Sequence, residues 1–583
     1  MGTWRTSCTQ PDSNAKSNET ETLKRLRVDH SPPLMLNIAL ALQHVMVQTS
    51  LCTLLVGVLV KEDEKNRIAA SIFFYSGVST LLQTCFGSRL PLIQAPSIDF
   101  MLPALFLNSV QTGIGTAACR GQCHKSEEFE GPTHQLRELQ GMAVVAGLVQ
   151  ISVGLCGVGG AVMIRCGPLI LTPVLCMLGF SIYREAALLS SDHWGIAMLT
   201  VLLLVFMSQH LRYWSFSASG KLCPAISMLS VMLSMLLVWV LCTTLHLYRD
   251  VRFHSVPELF LKKNHINTTL IQDRSSPNSS VWVSPNTSML WFRLPLPGLG
   301  LPLLTGYTIA AGVAAGLSCS LSSLAVYVLT ARLLKAPAPP AQACNRGLSV
   351  EGVGTVLAGL MGAPVGLCSS VSNACTAGLS QCGSRATVQL AGVMLLFLGV
   401  FPPLTQLLIS VPLAIHGAVL SVTHTVAVGT GITYLQYTDV DSGRNIFNTG
   451  FTVFMSLVLT RWFRNQSGFI CTGVPGLDIF LQSCLMLPGL LVSILAFFLD
   501  HTVSGTLSER GLEHDHSTGK IHSLADKQKE TDQSPVAVYK PPELVKRLLD
   551  LPWLRYFPFC ACRSSDMEEF KETTIEMTGL LPH

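Results

Sequence analysis

Residues 362–385 read GAPVGLCSSVSNACTAGLSQCGSR. The stretch lies between long apolar segments, yet it is rich in Gly, Ser and Thr and is interrupted by Pro364. Backbone that cannot form a continuous helix at membrane depth is tolerated only where it is buried in protein or lines a cavity. A second such stretch, GSRLPLIQAPSIDFMLP at 87–103, has three prolines and one acid, Asp99. We therefore expect these two broken segments to form the functional site, and the rest of the chain to be their scaffold.

The composition places the chain in a membrane. It has 583 residues, of which 49% are hydrophobic and only 13% are charged. An average soluble domain has about 25% charged residues, so we predict an all-α polytopic membrane protein with the lipid bilayer as its surroundings. The net charge of +4 is too small to indicate a nucleic-acid partner. No CxxC…CxxC or HExxH spacing, catalytic triad or phosphate loop is present, so we expect no metal site, no cofactor and no enzyme activity.

The apolar runs predict the number of membrane passes. A full pass needs about 20 apolar residues. Together with the shorter, interrupted segments, the runs predict about fourteen passes, an even number that puts both termini on one side. Runs of spanning length fall near 34–60, 68–86, 141–163, 166–186, 195–210, 223–247, 304–330, 386–401, 412–432, 446–460 and 480–499.

Glycosylation signals give the orientation. The polar loop 248–302 contains three N-x-S/T sequons, at Asn267, Asn278 and Asn286. Three sequons in one loop favour an extracellular, glycosylated face. We therefore predict a plasma-membrane protein with both termini in the cytoplasm. Most of the nineteen cysteines lie in apolar runs, and Cys119 with Cys123 is the one local pair that we consider as a disulfide, with the free thiols as the alternative.

The two broken segments take similar places in the two halves of the chain, near 90–105 and near 364–381. Interruptions at matching positions indicate an inverted repeat with the substrate site between its halves. Near a predicted cytoplasmic boundary, Arg444, Asn445 and Asp439 suggest either an ion-paired latch or a solvated loop.

Several longer motifs resemble the nucleobase–ascorbate transporter family, solute carrier family 23, across roughly 34–565. The resemblance implies fourteen spans in a seven-plus-seven inverted repeat, with broken helices in spans 3 and 10. It also implies a core domain that moves as an elevator against a gate domain, and a homodimer formed through the gate domain. The motifs are ALQHV (41–45), GSRLPLIQA (87–95), ARLLKAPAPPAQACNRGLSVEG (331–352), SNACTAGLSQCGSR (372–385), DVDSGRN (439–445) and DHTVSGTLSERGL (500–512).

The resemblance also implies domain boundaries. A cytoplasmic N-terminal tail comes first, followed by the first core segment (spans 1–4) and the first gate segment (spans 5–7). An extracellular glycosylated loop then leads to the second core segment (spans 8–11), the second gate segment (spans 12–14) and a cytoplasmic C-terminal tail. These seven regions are 1–33, 34–163, 164–247, 248–302, 303–403, 404–500 and 501–583.

Site residues carried over from the first and tenth spans retain the family pattern only in part. The Gln-His pair of the first span is Gln43 and His44, for which support of the site and a structural interhelical hydrogen bond are both open. In the tenth-span signature the family's Asn is Asn373. Ser372 replaces a bidentate or charged group, and Cys375 stands where the family has glycine.

The eighth span departs most from the family. Ser322 stands where the family has a glutamate, so the carboxylate that usually binds substrate N–H groups or a cation within the membrane is lost. Asp99, in the third span, stands where a small apolar residue is usual. Our hypothesis is that Asp99 takes over part of the missing charge, as a sodium contact or as an acceptor for substrate N–H groups. The segment Ser97, Ile98, Asp99 and Phe100 would complete the site.

Two kinds of function remain open from the sequence. The first is a secondary-active transporter of a small planar solute, with possible sodium coupling. Because the tenth-span signature opens Ser-Asn rather than the Pro-Asn of ascorbate carriers, a purine nucleobase such as hypoxanthine or xanthine is favoured over ascorbate. The second is a non-transporting paralogue that acts as a binding or assembly partner. Saturable uptake at the cell surface discriminates between them.

Overall fold

The computed structural model describes most of the membrane region of the chain. The predicted disulfide Cys119–Cys123 and the three sequon asparagines lie outside the described residues, as does most of the C-terminal tail. The described residues are 28, 31–60, 64–111, 132–212, 216–218, 221–223, 225–245, 291–295, 300–466, 469–506, 509–511 and 538–540.

The described part of the chain is almost entirely helical. The first half contains α1 (Leu34–Leu59), α2 (Lys65–Cys85), β1 (Gln94–Pro96), α3 (Ile98–Gln111), α4 (Pro132–Leu155), α5 (Val158–Arg165), α6 (Pro168–Phe180), α7 (Tyr183–Ser190), α8 (Trp194–Val205), β2 (Phe216–Ala218), β3 (Lys221–Cys223), α9 (Ala225–Met228) and α10 (Ser230–Thr244). The second half contains α11 (Gly306–Leu333), α12 (Ala341–Leu360), β4 (Leu367–Ser369), α13 (Val371–Ser380), α14 (Arg385–Val400), α15 (Pro402–Ile409), α16 (Leu413–Thr433), α17 (Gly443–Asn465), α18 (Pro475–Met486) and α19 (Pro488–Thr502). A π-helix, Phe206–His210, extends α8, and a 3-10 helix, Tyr434–Tyr437, extends α16.

Length and apolarity identify membrane spans among these helices. Six are long and apolar enough to cross a bilayer, or up to eight if each of two bent helix pairs is one span. Three shorter apolar helices, Ile98–Ser109, Trp194–His210 and Ser230–Thr244, accompany them. The prediction of a helical, multi-pass membrane protein is confirmed at this level, whereas the number of fourteen passes stays a prediction.

Prolines explain where the bent pairs break. Pro402 follows α14, and the chain turns by 105° between α14 and α15. Pro488 stands between α18 and α19, which meet at 78°. Proline has no N–H to donate and clashes with the preceding turn, so it begins a new helix rather than continuing the old one. The second break matters for function, because it places the start of α19 in the interior of the protein.

Helices from the first half of the chain pack extensively against helices from the second half. The pair α4–α12 is a close one, since a Cβ added to Gly147 would lie 2.7 Å from the Gly352 carbonyl oxygen. Small residues allow such close packing between membrane helices, where apolar lipid provides no hydrophobic drive. The cross-half pairs include α2–α14, α4–α12, α4–α11, α6–α16, α7–α16, α3–α11 and α1–α13, together with the strand pair β1–β4.

Two segments beyond the last helix contact the helical body. The carboxylate of Asp500 pairs with Arg444 at 3.0 Å and with Arg510 at 2.7 Å, and the Asn445 amide donates to the Glu509 carbonyl at 2.7 Å. The ion pair of Arg444 is thus with Asp500, not with Asp439 as the sequence suggested.

Farther along the tail, Tyr539 is 3% exposed and donates to the Pro337 carbonyl at 2.6 Å. Three arginines hold the backbone beside it. Arg385 donates to the Val538 carbonyl at 3.1 Å, Arg346 donates to the Tyr539 carbonyl at 2.9 Å, and Arg89 donates to the Lys540 carbonyl. This region of the C-terminal tail is therefore docked on the helical body.

Candidate functional site

The two broken segments meet, as the sequence predicts. Strand β1 pairs with β4 antiparallel, in the register Gln94 with Ser369, Ala95 with Cys368 and Pro96 with Leu367. The backbone pairing extends by one bond on each side, from Ser97 N to the Gly366 oxygen at 3.0 Å and from Ser370 N to the Ile93 oxygen at 2.9 Å. The strands satisfy each other's backbone groups, which the membrane interior cannot do. Their pairing is a direct backbone contact between the first and second halves of the chain.

A helix begins directly after each strand, and because the strands are antiparallel the two helix N-termini lie at opposite ends of the short strand pair. The first helical hydrogen bonds run from Met101 N to the Ser97 oxygen and from Ala374 N to the Ser370 oxygen. The backbone N–H groups of residues 98–100 and 371–373 therefore have no intrahelical acceptor. The Ser97 and Ser370 hydroxyls accept one N–H at each end, from Asp99 at 3.2 Å and from Asn373 at 3.3 Å. Both ends carry partial positive charge and favour electron-rich groups.

A cavity lies at these two helix ends. Its empty volume is about 520 Å³, a figure that includes the part open to solvent. The broken segments supply one wall, and α6, α16 and the start of α19 supply the other. The lining residues are Leu51, Pro96, Ser97, Ile98, Asp99, Met177, Leu178, Ser181, Ser322, Cys368, Ser369, Ser370, Val371, Ser372, His424 and Gly489.

Asp99 and Ser322 are in direct contact within this cavity. The Ser322 hydroxyl donates to the Asp99 Oδ2 at 2.5 Å, and the two residues are 7% and 6% exposed. They come from the third and eighth predicted spans, so Asp99 occupies the neighbourhood where the family's glutamate is missing. Gly489 lies beside the pair, since a Cβ added to it would be 3.1 Å from the Ser322 hydroxyl and 3.8 Å from Asp99 Oδ1. The Ser318 hydroxyl also interacts with this carboxyl group. A buried carboxylate can accept an N–H or contact a cation.

Asn373 lies behind the cavity wall, where it is hydrogen-bonded on both sides of its amide. Its Oδ1 lies 3.1 Å from His44 Nδ1, so the ring nitrogen must carry the proton for this contact to be a hydrogen bond. Its Nδ2 donates to the Ser370 hydroxyl at 3.2 Å and to Gln48 Oε1 at 3.4 Å. Asn373 and His44 therefore position the start of α13, and neither is among the residues that line the cavity.

Three other residues from the sequence prediction lie away from the cavity. Gln43 donates to the Met228 carbonyl at 3.1 Å and accepts from Met232 N at 3.2 Å, so it joins α1 to α9 and α10. Phe100 is fully buried and packs on Gly366, where an added Cβ would come within 2.7 Å of its ring. Cys375 is also fully buried and faces neither the cavity nor Asp99.

The remaining predicted residues line the cavity directly. Ser97 and Ile98 stand at the start of α3, next to Asp99. Ser372 is buried, and its hydroxyl has no partner among the described residues. It can therefore donate to a bound molecule or accept from one.

A second carboxylate, Glu351, supports the strand pair from behind, and sequence reasoning assigned it no role. Its Oε1 accepts from Tyr327 at 2.8 Å, from Gln94 at 3.1 Å and from Gln83 at 3.2 Å, and also from the Ser369 hydroxyl. The residue is 0% exposed. The signal in the sequence was an acid in the middle of an apolar helix, within the SVEG run. Glu351 fixes β1 and β4 together at the residues Gln94 and Ser369.

The wall opposite the broken segments also went unpredicted. Met177 and Leu178 come from the end of α6, and Ser181 directly follows that helix. His424 comes from α16, and Gly489 is the second residue of α19. His424 is 4% exposed, and its Nδ1 lies 2.9 Å from the Leu420 carbonyl oxygen. The local signals are the proline before Gly489 and an ionisable residue, His424, within an apolar helix; Met177, Leu178 and Ser181 have none. Tertiary packing alone brings them to the cavity.

Known proteins share this sequence over most of its length. Residues 36–465 match the Permease family. The chain is 40% identical to solute carrier family 23 member 3 of Mus musculus over 468 residues, which cover 76% of this chain and 71% of the mouse protein. It is 32% identical to solute carrier family 23 member 1 of Rattus norvegicus over 516 residues, 83% of this chain and 81% of the rat protein.

The similarity extends to more distant proteins. The chain is 26% identical to nucleobase-ascorbate transporter 3 of Arabidopsis thaliana over 477 residues, which cover 80% of this chain and 81% of the plant protein. Among solved structures, the transmembrane domain of the cyanobacterial bicarbonate transporter BicA aligns with a TM-score of 0.44 at 14% identity, covering 74% of this chain and 97% of BicA's. On the family match and the relatives above 30% identity, the chain belongs to the nucleobase–ascorbate transporter family, solute carrier family 23.

Proposed function

We propose that this permease is a secondary-active transporter of a purine nucleobase of the hypoxanthine or xanthine type. Family membership supports a nucleobase or ascorbate permease, a transporter rather than an enzyme. The observation that carries the narrower proposal is the cavity at the two helix ends, with Asp99 and Ser322 in contact at its edge.

The polar groups of the cavity suit an amide-like ring edge. An oxopurine presents N–H donors beside carbonyl acceptors on one planar edge. The N–H groups at the starts of α3 and α13 would donate to its carbonyls, and the Asp99 carboxylate would accept its N–H. Ser372 adds one hydroxyl that can take either role. The side chains of Met177, Leu178 and Leu51 would cover the apolar faces of the ring.

The packing supports an elevator mechanism. In a seven-plus-seven inverted repeat, each span of the first half corresponds to the span seven places later. Packing of span 2 on span 11 should therefore be repeated as packing of span 9 on span 4. With α2 and α4 as spans 2 and 4, and α12 and α14 as spans 9 and 11, the pairs α2–α14 and α4–α12 follow this relation. The pairs α1–α13 and α3–α11 follow it as well. One wall of the cavity comes from the predicted core domain and the other from the predicted gate domain. A core that slides against the gate would carry a solute held at the helix ends from one side to the other.

Sodium coupling, location and assembly belong to the same proposal. Asp99 is the candidate sodium contact, because it is the acid that lines the cavity among the described residues. The sequon cluster supports a plasma-membrane location with both termini in the cytoplasm. A homodimer through the gate domain follows from the family resemblance.

Ascorbate is the second candidate substrate. Ascorbate is an anion, and the two helix N-termini favour an anion at the cavity. An ionised Asp99 beside the same ends opposes it, since like charges in a site of low dielectric repel strongly. The balance favours the neutral purine. The non-transporting alternative rests on the departures from the family pattern that the resemblance implies, Ser322 in place of the glutamate and a tenth-span signature of which only Asn373 is retained.

Uptake measurements test the proposal. Labelled hypoxanthine, xanthine, uracil and ascorbate are offered to cells that express the protein at the surface, with sodium present or replaced. We expect saturable purine uptake, and a sodium requirement if Asp99 contacts the ion. Saturable ascorbate uptake without purine uptake would support the second candidate. No uptake of any of the four, with surface expression shown, would support the non-transporting alternative.

A further inference from the structure

A second pocket lies next to the candidate substrate cavity and has no role in the proposed transport cycle. It is formed at the α6–α7 junction, the C-terminal end of α17 and the α18–α19 break. It shares Ser181 with the substrate cavity, and Pro488 in its wall directly precedes Gly489 of that cavity. Its lining residues are Phe180, Ser181, Tyr183, Arg184, Leu457, Thr460, Arg461, Arg464 and Pro488.

The charge of this pocket is unbalanced. Arg184, Arg461 and Arg464 line it, and Arg184 interacts electrostatically with both other arginines. One acid, Glu185, is close to them, and its Oε1 lies 3.5 Å from Arg464 Nη1. Arg464 also interacts electrostatically with Asp99, so among the described residues three guanidinium groups face two carboxylates, and positive charge remains in excess. Guanidinium groups stay protonated in proteins, so the excess cannot be relieved by loss of a proton.

The hydrogen bonds of the pocket are incomplete. Arg464 Nε and Glu185 Oε2 are buried and have no partner among the described residues. The side chains of Arg464 and Glu185 are 12% and 2% exposed. A buried guanidinium with an unused N–H costs free energy unless an acceptor reaches it. The pocket therefore has an excess of positive charge and one free donor, Arg464 Nε, for an anionic acceptor.

We propose that this pocket binds a small monovalent oxyanion of carboxylate size from the extracellular side. The planar fork of a guanidinium matches two oxygen atoms on one carbon, which makes a carboxylate-like anion a better fit than a spherical ion. The end of α17 lies on the face that the sequence predicts to be extracellular. Because the site is defined by binding alone, the proposal stands or fails independently of purine transport.

The bound anion also bears on the substrate cavity. Arg464 interacts electrostatically with Asp99 across the short distance between the two pockets. An anion on the three arginines would weaken the positive field that Asp99 feels. Occupancy of the second pocket would therefore change how readily Asp99 accepts a cation or a substrate N–H group.

Thermal unfolding of the purified full-length protein tests the proposal. The protein is placed in phosphatidylcholine nanodiscs and titrated with potassium formate, with potassium gluconate keeping the ionic strength constant. We expect a saturable rise in melting temperature with formate. Arg464→Gln should raise the half-saturating formate concentration about tenfold, because it removes one charge and the free Nε donor. Arg165→Gln, at an exposed arginine on α5, is the matched control and should leave it unchanged.

A second variant separates loss of the site from loss of the fold. Glu185→Gln removes the carboxylate that pairs with Arg464 and should lower the half-saturating concentration about tenfold, a gain that misfolding cannot produce. No saturable shift in the wild type, or equal midpoints in the wild type and both variants, would overturn the proposal. Repeating the titration with phosphatidylglycerol in the disc identifies the source of the anion. An unchanged midpoint supports a soluble anion, and loss of the formate effect assigns the pocket to a lipid headgroup and overturns it.

Discussion

At the scale of single residues, Asp99 is the unusual group. It is a carboxylate at the start of a helix, 7% exposed, with one oxygen held by the Ser322 hydroxyl. An acid inside a membrane protein is expensive to bury and persists where it has partners or a function. Here the helix N-terminus and the serine each lower that cost. The Ser318 hydroxyl also interacts with this carboxyl group, which can accept further hydrogen bonds from a bound solute or contact an ion.

The first prediction concerns the charge of Asp99. Asp99→Asn keeps an oxygen that can accept from Ser322, but it removes the negative charge and replaces the second oxygen with a donor. We expect uptake to fall about 10- to 100-fold, the range for losing a hydrogen bond to a charged group. Labelled purine uptake, normalised to surface protein, measures it.

Asp441→Asn is the matched control for that measurement, because Asp441 is an exposed acid in a loop far from the cavity. It should leave uptake unchanged. Undiminished uptake and unchanged sodium dependence in Asp99→Asn would remove Asp99 from the transport mechanism.

The second prediction separates support of the site from contact with the solute. Asn373→Ala would leave His44 Nδ1 and Gln48 Oε1 without this partner, and we expect it to lower the free energy of unfolding by about 1–3 kcal/mol. Ser372→Ala removes a hydroxyl that has no partner among the described residues, so the melting temperature should stay the same while the KM for the solute rises. Melting temperature and uptake kinetics, measured on both variants, check this. A stable Asn373→Ala protein would contradict the supporting role.

At the scale of elements, the break at Pro488 and the two ion pairs of Asp500 fix the position of α19. The break directs the start of α19 at the cavity, where Gly489 leaves room beside Ser322. At the other end of the helix, Asp500 joins Arg444 of α17 to Arg510 of the following segment. The side chain of Asp500 is 4% exposed, so its two arginines are its main compensation for lost hydration.

The third prediction tests the two ion pairs of Asp500, with Arg444 and with Arg510. Asp500→Asn should lower the free energy of unfolding by about 2–4 kcal/mol, because it leaves the largely buried Arg444 without its charge partner. Arg510→Gln should cost less than about 1 kcal/mol, since Arg510 is more exposed and Asp500 keeps Arg444. The melting temperatures of the two variants show which substitution is more destabilising. Equal losses of stability in the two variants, or no loss in Asp500→Asn, would show that the ion pairs of Asp500 do not stabilise α19.

At the scale of the whole molecule, the two halves of the chain are joined at the strand pair. Ala95 lies opposite Cys368, so residues more than two hundred positions apart in sequence are neighbours at the centre of the protein. Glu351 and its four donors hold this junction from behind. Both strands belong to the predicted core domain, which would move as one body.

The fourth prediction uses that junction. Ala95→Cys should form a disulfide with the native Cys368 under mild oxidation, since the Cα atoms of directly opposite residues in an antiparallel pair lie about 4.5–5.5 Å apart, within the range of disulfides. We expect uptake to survive the cross-link, because the strands do not separate during an elevator movement. The chain is cleaved between its two halves and run on a non-reducing gel, where a disulfide keeps the two fragments together as one band.

Two variants control for the other cysteines. Ala95→Cys combined with Cys368→Ser should show no link, and neither should Ala104→Cys, at a buried position away from the strand pair. A cross-link that stops uptake would mean that the strands move apart in the cycle.

Much of the architecture follows from local sequence. Long apolar runs predict spanning helices, because a bilayer requires the backbone to satisfy its own hydrogen bonds. Pro and Gly within such runs predict interruptions, and residues 87–103 and 362–385 are broken where expected. The resemblance in the eighth span pointed to Ser322, and the acid in the third span pointed to Asp99. The direct hydrogen bond between Ser322 and Asp99 was not predicted, because it depends on how the third and eighth spans pack together.

What the sequence by itself determined is therefore the class of protein, the family and the two segments that form the site, because these depend on apolarity, breaks and motifs along the chain. The tertiary structure alone decided which side chains reach the cavity. It turns Gln43, Phe100 and Cys375 into packing and bridging contacts, places Asn373 behind the wall, and brings Met177, His424 and Gly489 to the opposite side. A helix in a membrane is apolar on every face, so its sequence does not reveal which face meets a neighbour, and packing between distant helices settles it.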